Sequence, residues 1–413
     1  MRNAKPQQHG FDPQRLDLIR VWMQRYVDQK KFPGASILIA RGDDIIYHER
    51  AGLRDIKAGL SYERNSIVRL YSMTKPVTAT AIMMLAEKGL FHLDTPLSEF
   101  LPTFKNMQAL RPGATAIDQV EPCPTPTLHH LLTHTSGLSY AFNPGLLPKA
   151  MEAAGINFKS ESKSLAQVVD DVAGLPLAFH PGRKWEYSVA SDVLGRVVEV
   201  VSGQGLAEFF QDSIFAPLAM RDTGFSVPPK QLGRFAALYT PLAGDPMALN
   251  STDKGADSLR LIDQNDTSPF CRETSFSGGG GLVGTLDDYM RFAETLRRGG
   301  SFHNVRLLSP RTVDFMMRNH LPGDIASMGP DSFAEQPMDG IGFGLAGSVV
   351  LDPARARVPG SIGDFSWGGM ASTFFWVDRS LDLTVVFFTQ LSPSSAYPSR
   401  AELKALVHGA MTS

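Results

Sequence analysis

The chain has 413 residues, of which 43% are hydrophobic and 20% are charged, and its formal net charge is −2. This composition is typical of a globular protein that is long enough to bury a large core. Acidic and basic residues are interspersed and nearly balanced, so the strongly basic surface of a nucleic-acid-binding protein is missing and we expect no nucleic-acid partner.

The cysteine content and the N-terminal residues indicate the cellular compartment in which we expect the protein. Only Cys123 and Cys271 occur, without a CxxC pair, which disfavours a disulfide or a zinc site and favours a reducing compartment. The segment from Met1 to Gln8 is polar, and no apolar run is long enough to span a bilayer. We therefore expect a cytoplasmic protein with no membrane partner, or a periplasmic one if a signal peptide has been removed.

The chain begins with a helix and two strands. Asp12-Pro13 is typical of a helix N-cap followed by proline at the first helical position, and apolar spacing predicts a helix to about Lys30. Two β-rich runs follow at 35–40 and 44–48, joined by the hairpin-type turn Arg41-Gly42-Asp43.

The middle of the chain is mostly helical and its end is again β-rich. Helical stretches such as Leu128–Leu132 and 189–201 alternate with loops rich in proline and glycine, and 250–266 is predicted to be an exposed loop. Runs at 342–350, 374–377 and 383–390 predict strands, and an amphipathic helix follows them. Strands at both ends indicate one sheet built from both termini, interrupted by a helical insertion.

Candidate nucleophiles come from a short pattern that occurs three times. No Gly-x-Ser-x-Gly, His-Glu-x-x-His or phosphate-binding Gly-x-x-x-x-Gly-Lys occurs. Ser-x-x-Lys begins at Ser72, Ser160 and Ser251. Ser160 and Ser251 lie in polar, turn-like segments, whereas Ser72 precedes a helical stretch with a buried apolar face. We therefore select Ser72.

The spacing of Ser72 and Lys75 has a physical consequence. Residues i and i+3 share one face of a helix, so the lysine amine can approach the serine hydroxyl. The positive end of the helix dipole and partial desolvation both disfavour an ammonium group there. A neutral lysine can then take the serine proton. The tetrapeptide alone is equally compatible with a serine cap beside an exposed lysine.

Four blocks together resemble a known family. The blocks are Ser72-Met73-Thr74-Lys75, the run LHHLLTHTSGL at 128–138, Trp185-Glu186-Tyr187-Ser188-Val189 and Trp367-Gly368-Gly369. In order and spacing they are similar to class C β-lactamase-like proteins from about residue 12 to 411, and the nearest subgroup is the bacterial carboxylesterases called family VIII.

The resemblance implies a β-lactamase/penicillin-binding-protein-like fold of the α/β plus α class. Such a fold has an antiparallel sheet flanked by helices and an inserted helical domain. Residues 1–85 and 270–413 would form the discontinuous α/β domain and 86–269 the helical domain. The active site would lie in the cleft between them.

The resemblance also implies residue roles. Ser72 would be the acylated nucleophile, Lys75 its general base or proton relay, and Tyr187 a general base or acid. The oxyanion hole would be the backbone N–H groups of Ser72 and Met370, the latter on the strand that carries Trp367-Gly368-Gly369. Neither a metal nor another cofactor is implied.

Two departures from the β-lactamase pattern bear on the substrate. Val189 stands where β-lactamases have the asparagine of Tyr-x-Asn, and Trp367 stands where they have the lysine of Lys-Thr-Gly. Both changes remove polar anchors for an anionic, amide-bearing ligand. Trp367, Gly368, Gly369 and Val189 would contact the substrate, and uncharged esters with apolar parts are favoured.

Simpler interpretations stay open for several residues. Tyr187 and Trp367 are also compatible with core packing, since aromatic residues are more often buried than functional. His130 and His134 are spaced i, i+4 but lack a third ligand nearby, which disfavours a metal site. Gly278–Gly281 lacks the basic residue of a phosphate-binding loop, so a flexible or tightly packed turn is favoured.

The sequence thus predicts a serine carboxylesterase for small or medium uncharged esters, with weak promiscuous β-lactam hydrolysis as an added capacity. An acyltransferase would use the same acyl-enzyme, and a β-lactamase or peptidase is a third enzymatic alternative. A non-catalytic binding or assembly module on the same fold is the alternative outside enzymes. The sequence indicates no particular oligomeric state.

Overall fold

Within residues 1–156, 162–248, 259–272, 275–334 and 336–412, the computed structural model contains 19 strands and 11 α-helices. The helices are α1 (Pro13–Asp28), α2 (Thr74–Glu87), α3 (Leu128–Leu132), α4 (Leu146–Ala153), α5 (Leu165–Ala173), α6 (Ala190–Ser202), α7 (Leu206–Phe210), α8 (Leu286–Arg297), α9 (Pro310–Met316), α10 (Pro353–Ala356) and α11 (Ser399–Gly409). The strands are β1 (Arg2–Asn3), β2 (Gly34–Arg41), β3 (Asp44–Asp55), β4 (Leu60–Ser61), β5 (Val68–Arg69), β6 (Gln108–Leu110), β7 (Val120–Pro122), β8 (Leu238–Thr240), β9 (Arg260–Asp263), β10 (Val283–Gly284), β11 (Ser301–Phe302), β12 (Val305–Arg306), β13 (Ser332–Phe333), β14 (Gln336–Pro337), β15 (Ile341–Phe343), β16 (Ser348–Val350), β17 (Phe365–Gly368), β18 (Phe374–Asp378) and β19 (Leu383–Thr389).

The main sheet combines strands from both ends of the chain. Its order is β1-β3-β2-β19-β18-β17-β16-β15, with β4 paired to β3. Strand β2 pairs with β19, for example Ile39 with Val385, so the N-terminal hairpin joins the C-terminal strands at the centre. Every pair in this sheet is antiparallel except β1 with β3. The predicted fold class is confirmed, with β1 as a short parallel addition.

Helices cover both faces of the sheet, which explains why its central strands are apolar throughout. Alternate residues of β19 face opposite sides, and Val385 and Phe387 pack in one core cluster while Val386 and Phe388 pack in the other. Helices α1 and α11 cover the first side, where Trp22 and Tyr26 donate hydrogen bonds to Glu402. Helix α8 covers the other side.

The second face of the sheet also supports the segment that carries Ser72. Tyr289 of α8 is buried, and its hydroxyl donates to the carbonyl oxygen of Met73 at 2.9 Å. Helix α2, which begins at Thr74, is buried on nearly all sides and packs against α6. The segment from Ser72 to Lys75 is therefore held between the sheet layer and the helical layer.

Several element predictions are confirmed and others need correction. Asp12 caps α1 by accepting from the N–H groups of Gln14 and Arg15, as predicted. The run 342–350 is wrong as one strand, because Gly344–Gly347 forms a turn and splits it into the hairpin of β15 and β16. The predicted loop 250–266 contains β9, while residues 250–258 lie outside the described residues. The domain boundaries near residues 85 and 270 stay a prediction.

A buried arginine ties together the strands that lead into Ser72. The Arg69 side chain is fully buried, and its guanidinium pairs with Asp263 at 2.7 Å and donates to the carbonyl of Ala236 at 2.6 Å. Its backbone N–H and carbonyl both bond to the side-chain amide of Gln390, next to β19. Arg69 thus links β5, β9 and the end of the central strand.

We expect Arg69→Met to lower the free energy of unfolding by about 3 kcal/mol, because the Asp263 carboxylate would lose its cationic partner and the Ala236 carbonyl would lose a buried donor. Urea unfolding followed by circular dichroism measures the change. Arg2→Met is the control, since that side chain is 87% exposed and its loss should leave the unfolding midpoint nearly unchanged. An equal effect of the two substitutions would contradict this account of Arg69.

Candidate active site

Ser72 lies at the junction of a strained turn and a buried helix. It is the middle residue of a single 3₁₀ turn, Tyr71–Met73, directly before α2. Tyr71 has φ of +46°, a left-handed conformation that is costly for a bulky residue, and its buried ring packs edge-on against Phe270 at 5.6 Å. Ser72 follows this strained residue directly and lines the pocket.

Lys75 lies in the first turn of α2 and is completely buried. Its Nζ is 3.1 Å from Ser72 Oγ, 2.9 Å from the Tyr140 hydroxyl and 2.7 Å from the carbonyl oxygen of Gly279. Burial lowers the pKa of Lys75 to about 7, although the charge of Asp192 opposes this shift. At neutral pH a large fraction of this amine is therefore uncharged.

These contacts suit both protonation states of the Lys75 amine. As an ammonium it donates to Ser72 Oγ, the Tyr140 hydroxyl and the Gly279 carbonyl. As a neutral amine it keeps two donors, and its lone pair can accept the hydroxyl proton of Ser72. Only the Ser72 contact reverses, so the lysine can take and return a proton without moving.

Tyr187 completes the surroundings of the Ser72 hydroxyl. Its own hydroxyl donates to Ser72 Oγ at 2.5 Å, and Lys75 Nζ lies 4.5 Å from the centre of its ring. Burial raises the pKa of Tyr187, although the neighbouring Ser72 hydroxyl, the Trp367 indole and the charge of Arg400 oppose the increase. The group is thus a neutral phenol at neutral pH, which suits a proton donor better than a base.

Met370 lies beside Ser72, but in a turn rather than on the strand. Strand β17 ends at Gly368, which corrects the prediction that Met370 continues it. The turn closes with a bond from Gly369 N–H to the Thr373 carbonyl, and a Cβ on Gly369 would lie 2.3 Å from the carbonyl oxygen of Leu70. Glycine thus allows the turn to approach the Ser72 segment closely.

The backbone N–H groups of Ser72 and Met370 have no assigned hydrogen-bond acceptor in the described part of the chain. Both residues line the same pocket. Two backbone N–H groups that are free to donate, beside a hydroxyl nucleophile, can stabilise the oxyanion that forms during acyl transfer.

Aromatic residues are the most numerous kind in the lining of the pocket beside Ser72. Trp367 and Phe333 are stacked, with ring planes 12° apart and centres at 5.9 Å, and the Tyr187 ring lies 5.5 Å from Trp367. The indole N–H of Trp367 is buried near the Tyr187 hydroxyl, yet it makes no hydrogen bond of ordinary geometry within the described residues. The remaining aromatic lining residues are Tyr71, Tyr140, Phe142, Phe374, Phe375 and Trp376.

Comparison with protein families agrees with this geometry. The family model described as Beta-lactamase matches residues 19–409, nearly the whole chain. The chain belongs to the beta-lactamase family. The predicted family is thereby confirmed.

The chain is also similar to enzymes whose names describe an esterase, a hydrolase and a synthase. Esterase EstB of Burkholderia gladioli is 33% identical over 384 residues, which cover 91% of this chain and 89% of EstB. The solved structure of EstCE1, described as a hydrolase with promiscuous acyltransferase activity, has a TM-score of 0.78 and 29% identity, covering 97% and 99% of the two chains. Simvastatin synthase (LovD) of Aspergillus terreus has a TM-score of 0.76 and 25% identity, covering 96% and 97%.

The structure brings most of the predicted site residues together. Ser72, Tyr187, Met370 and the block 367–369 line one pocket, and Lys75 lies directly behind Ser72. Val189 does not line this pocket, which corrects its predicted contact with the substrate. It is the residue before α6, and its apolar side chain is buried in the core.

The sequence analysis missed two polar residues next to Lys75. Tyr140 contacts the amine directly, and Asp192 is a buried carboxylate of α6 whose charge acts on it. Their positions carried a weak signal, since Tyr140 follows the run 128–138 of the predicted blocks by two residues and Asp192 follows Tyr187 by five. Only the fold shows that the Tyr140 hydroxyl contacts the Lys75 amine and that Asp192 is buried close enough for its charge to act on it.

The other candidate motifs do not form a second site. His134 follows the end of α3 with φ of +55°, so it leaves the helical face of His130 and contacts Ser188 instead. Among the described residues, no group of three or more His, Cys, Asp or Glu side chains is placed to hold a metal ion. Ser160 and Ser251 lie outside the described residues. In the described ranges, no helix combines the length and apolarity needed to cross a membrane.

We expect Tyr187→Phe to lower kcat/KM for an activated ester about 10²–10⁴-fold, because the proton donor to Ser72 Oγ is lost. Tyr140→Phe is the matched control: it removes a buried hydroxyl that contacts Lys75 but not Ser72, and should cost about tenfold or less. Initial rates with p-nitrophenyl acetate measure both variants, with circular dichroism to check folding. A loss in Tyr140→Phe equal to that in Tyr187→Phe would contradict the assignment.

Proposed function

We propose that this chain is a serine carboxylesterase that hydrolyses small or medium uncharged esters through an acyl-enzyme on Ser72, in the manner of the bacterial family VIII carboxylesterases. One observation carries the proposal: Ser72 Oγ lies within hydrogen-bonding distance of both the buried Lys75 amine and the Tyr187 hydroxyl. The similarity to esterase EstB and to the hydrolase EstCE1 supports esters as the substrate class.

In the acylation step, neutral Lys75 takes the hydroxyl proton of Ser72 while Oγ forms a bond to the ester carbonyl carbon. The carbonyl oxygen becomes an oxyanion that the backbone N–H groups of Ser72 and Met370 stabilise. When the bond to the alkoxy oxygen breaks, Tyr187 gives its proton to the leaving alcohol. The Lys75 ammonium then returns its proton to the site to restore the Tyr187 phenol, so that both groups end the step uncharged.

Deacylation repeats these steps with water in place of the alcohol. Water attacks the acyl carbonyl, and the Lys75–Tyr187 pair accepts its proton. The bond to Ser72 Oγ then breaks, Oγ regains a proton, and the carboxylic acid leaves. No group outside the described site is required, so the proposal includes no metal and no other cofactor.

The pocket supports apolar ester substrates. Trp367 stacks with Phe333 where β-lactamases place a lysine, and this ring pair offers flat apolar surface beside Ser72. Val189 cannot provide the amide of the β-lactamase Tyr-x-Asn block, and it is buried away from the pocket. Both features disfavour a ligand that depends on amide and carboxylate anchors.

The pocket nevertheless retains positive charge, which refines the argument from Trp367. Lys404 lines it, but its amine pairs with the buried Asp364 at 2.6 Å. Arg400 also lines it and lies against Gly368, where an added Cβ would be 2.4 Å from the guanidinium. Selection against anionic esters therefore depends on the aromatic surface more than on an absence of charge.

Acyl transfer is a second candidate, favoured by the similarity to simvastatin synthase and to EstCE1 with its promiscuous acyltransferase activity. An alcohol would replace water in the deacylation step. Adding a primary alcohol during ester turnover separates the two functions, because transfer yields a new ester and hydrolysis yields the acid. A hydrolase should form mainly acid at low alcohol concentration.

The proposed function predicts that p-nitrophenyl esters, from acetate to longer acyl chains, are hydrolysed and that Ser72→Ala abolishes turnover. The chromogenic cephalosporin nitrocefin should be turned over slowly or not at all, because Trp367 stands in place of the β-lactamase lysine and the buried Val189 cannot bind the amide. Faster turnover of nitrocefin than of every ester would favour a β-lactamase. A wild-type protein that neither hydrolyses esters nor reacts with a fluorophosphonate probe would favour a non-catalytic module.

A further inference from the structure

Asp192 is a buried carboxylate that the reaction steps above do not use. It lies in the first turn of α6, and its residue is 3% exposed. Its Oδ1 accepts hydrogen bonds from the Ser277 hydroxyl and from the N–H of Gly279 at 3.2 Å. Burial of a carboxylate is costly unless its charge is compensated, so its position calls for a reason.

A continuous chain of hydrogen bonds joins Lys75 to Asp192. Lys75 Nζ donates to the Gly279 carbonyl at 2.7 Å, and the N–H of the same peptide group, that of Gly280, donates to Ser277 Oγ at 3.0 Å. Ser277 in turn donates to Asp192 Oδ1. Each donor points in the same direction, so each bond polarises the next and the carboxylate acts on the amine through one peptide group.

The contacts of Asp192 indicate its ionised form. Burial raises the pKa of its carboxyl, but the hydrogen bond from Ser277, the charge of Lys75 and the N–H of Gly279 oppose this increase. Oδ2 has no hydrogen-bond partner among the described residues, so a proton placed there would be a buried donor without an acceptor. The ionised form leaves Oδ2 without a donor among the described residues, but it keeps both bonds to Oδ1 and is stabilised by the charge of Lys75.

Glycines make this approach possible. A Cβ on Gly279 would lie 2.4 Å from Asp192 Oδ2 and 2.9 Å from the Tyr140 hydroxyl, and a Cβ on Gly278 would lie 2.5 Å from the carbonyl oxygen of Ser191. Any side chain there would push the turn away from α6 and Lys75. The run Gly278–Gly281 is therefore a tightly packed turn that carries the hydrogen-bond chain.

We propose that Asp192 is a positioning residue that holds and polarises the Lys75 amine through Ser277 and the Gly279–Gly280 peptide. The inference rests on the proposed function, because it concerns the base of that same reaction. Neither Asp192 nor Ser277 touches the substrate. Together they hold in place the Gly279 carbonyl, which accepts one hydrogen bond from the Lys75 amine, and Asp192 adds a negative charge behind that amine.

The other groups around Lys75 are uncharged near neutral pH. Burial raises the pKa of Tyr140 and of Tyr187, and burial lowers the pKa of His134. Asp192 on α6 thus supplies the one formal charge among the described groups packed against this amine. A nearby anion favours the ammonium, so removing it should lower the pKa of Lys75 and leave the lysine neutral at lower pH.

The test is the pH dependence of kcat/KM for p-nitrophenyl acetate in the full chain. We expect Asp192→Asn to move the acid limb about one pH unit toward lower pH. Ser277→Ala keeps the Asp192 carboxylate but breaks the chain of hydrogen bonds to Lys75. It should lower the plateau value of kcat/KM about tenfold and move the acid limb less than Asp192→Asn does. Asp288→Asn is the control, because Asp288 is another buried carboxylate, bonded to the Asp222 N–H and the Thr223 hydroxyl. Its profile should match wild type.

An acid limb that stays at the wild-type position in folded Asp192→Asn would overturn the inference. If Asp192→Asn does not fold, a wild-type plateau in Ser277→Ala would overturn it instead. An equal movement of the limb in Asp288→Asn would also count against it, since any buried carboxylate would then suffice. If the wild-type protein shows no Ser72-dependent ester hydrolysis, the proposed function itself is contradicted. That result differs from a failure of the inference about Asp192, in which the wild type hydrolyses esters and only the variants behave unexpectedly.

Discussion

Burial of the Lys75 amine is the constraint on which the rest of the site depends. An exposed lysine would stay protonated and could not take a proton from Ser72, whereas burial lowers the pKa of this one to about 7. Burial is tolerable because Ser72, Tyr140 and the Gly279 carbonyl together satisfy the amine in either protonation state.

The fold supplies these partners from distant parts of the chain. Helix α2 carries Lys75 and is enclosed on nearly all sides, the segment after α3 brings Tyr140, and the segment before α6 brings Tyr187. The packed glycine turn before β10 brings the Gly279 carbonyl, and Tyr289 on α8 holds the backbone behind Ser72. A rigid amine with fixed partners lets proton transfer proceed without rearrangement.

Patterns with a local physical cause were predictable, and those set by tertiary packing were not. The Asp12 cap of α1 and the turn at Gly42 follow from local backbone chemistry, and Ser72 with Lys75 follows from helical spacing. The split between β15 and β16, the turn that holds Met370 and the burial of Val189 depend on neighbours far along the chain. Asp192 could not be predicted, because its link to Lys75 passes through a backbone peptide that no side-chain pattern encodes.

The central claim, that Ser72 is activated by a lysine that is neutral near pH 7, has one direct test. The rate of covalent labelling of Ser72 by a fluorophosphonate probe would be measured from about pH 5 to about pH 9, because this step requires the nucleophile and its base but no leaving-group alcohol. The account predicts a rate that rises with pH through a midpoint of about 7 and then levels off. A rate independent of pH across this range, or one still rising at its upper end as an exposed lysine would require, would contradict it.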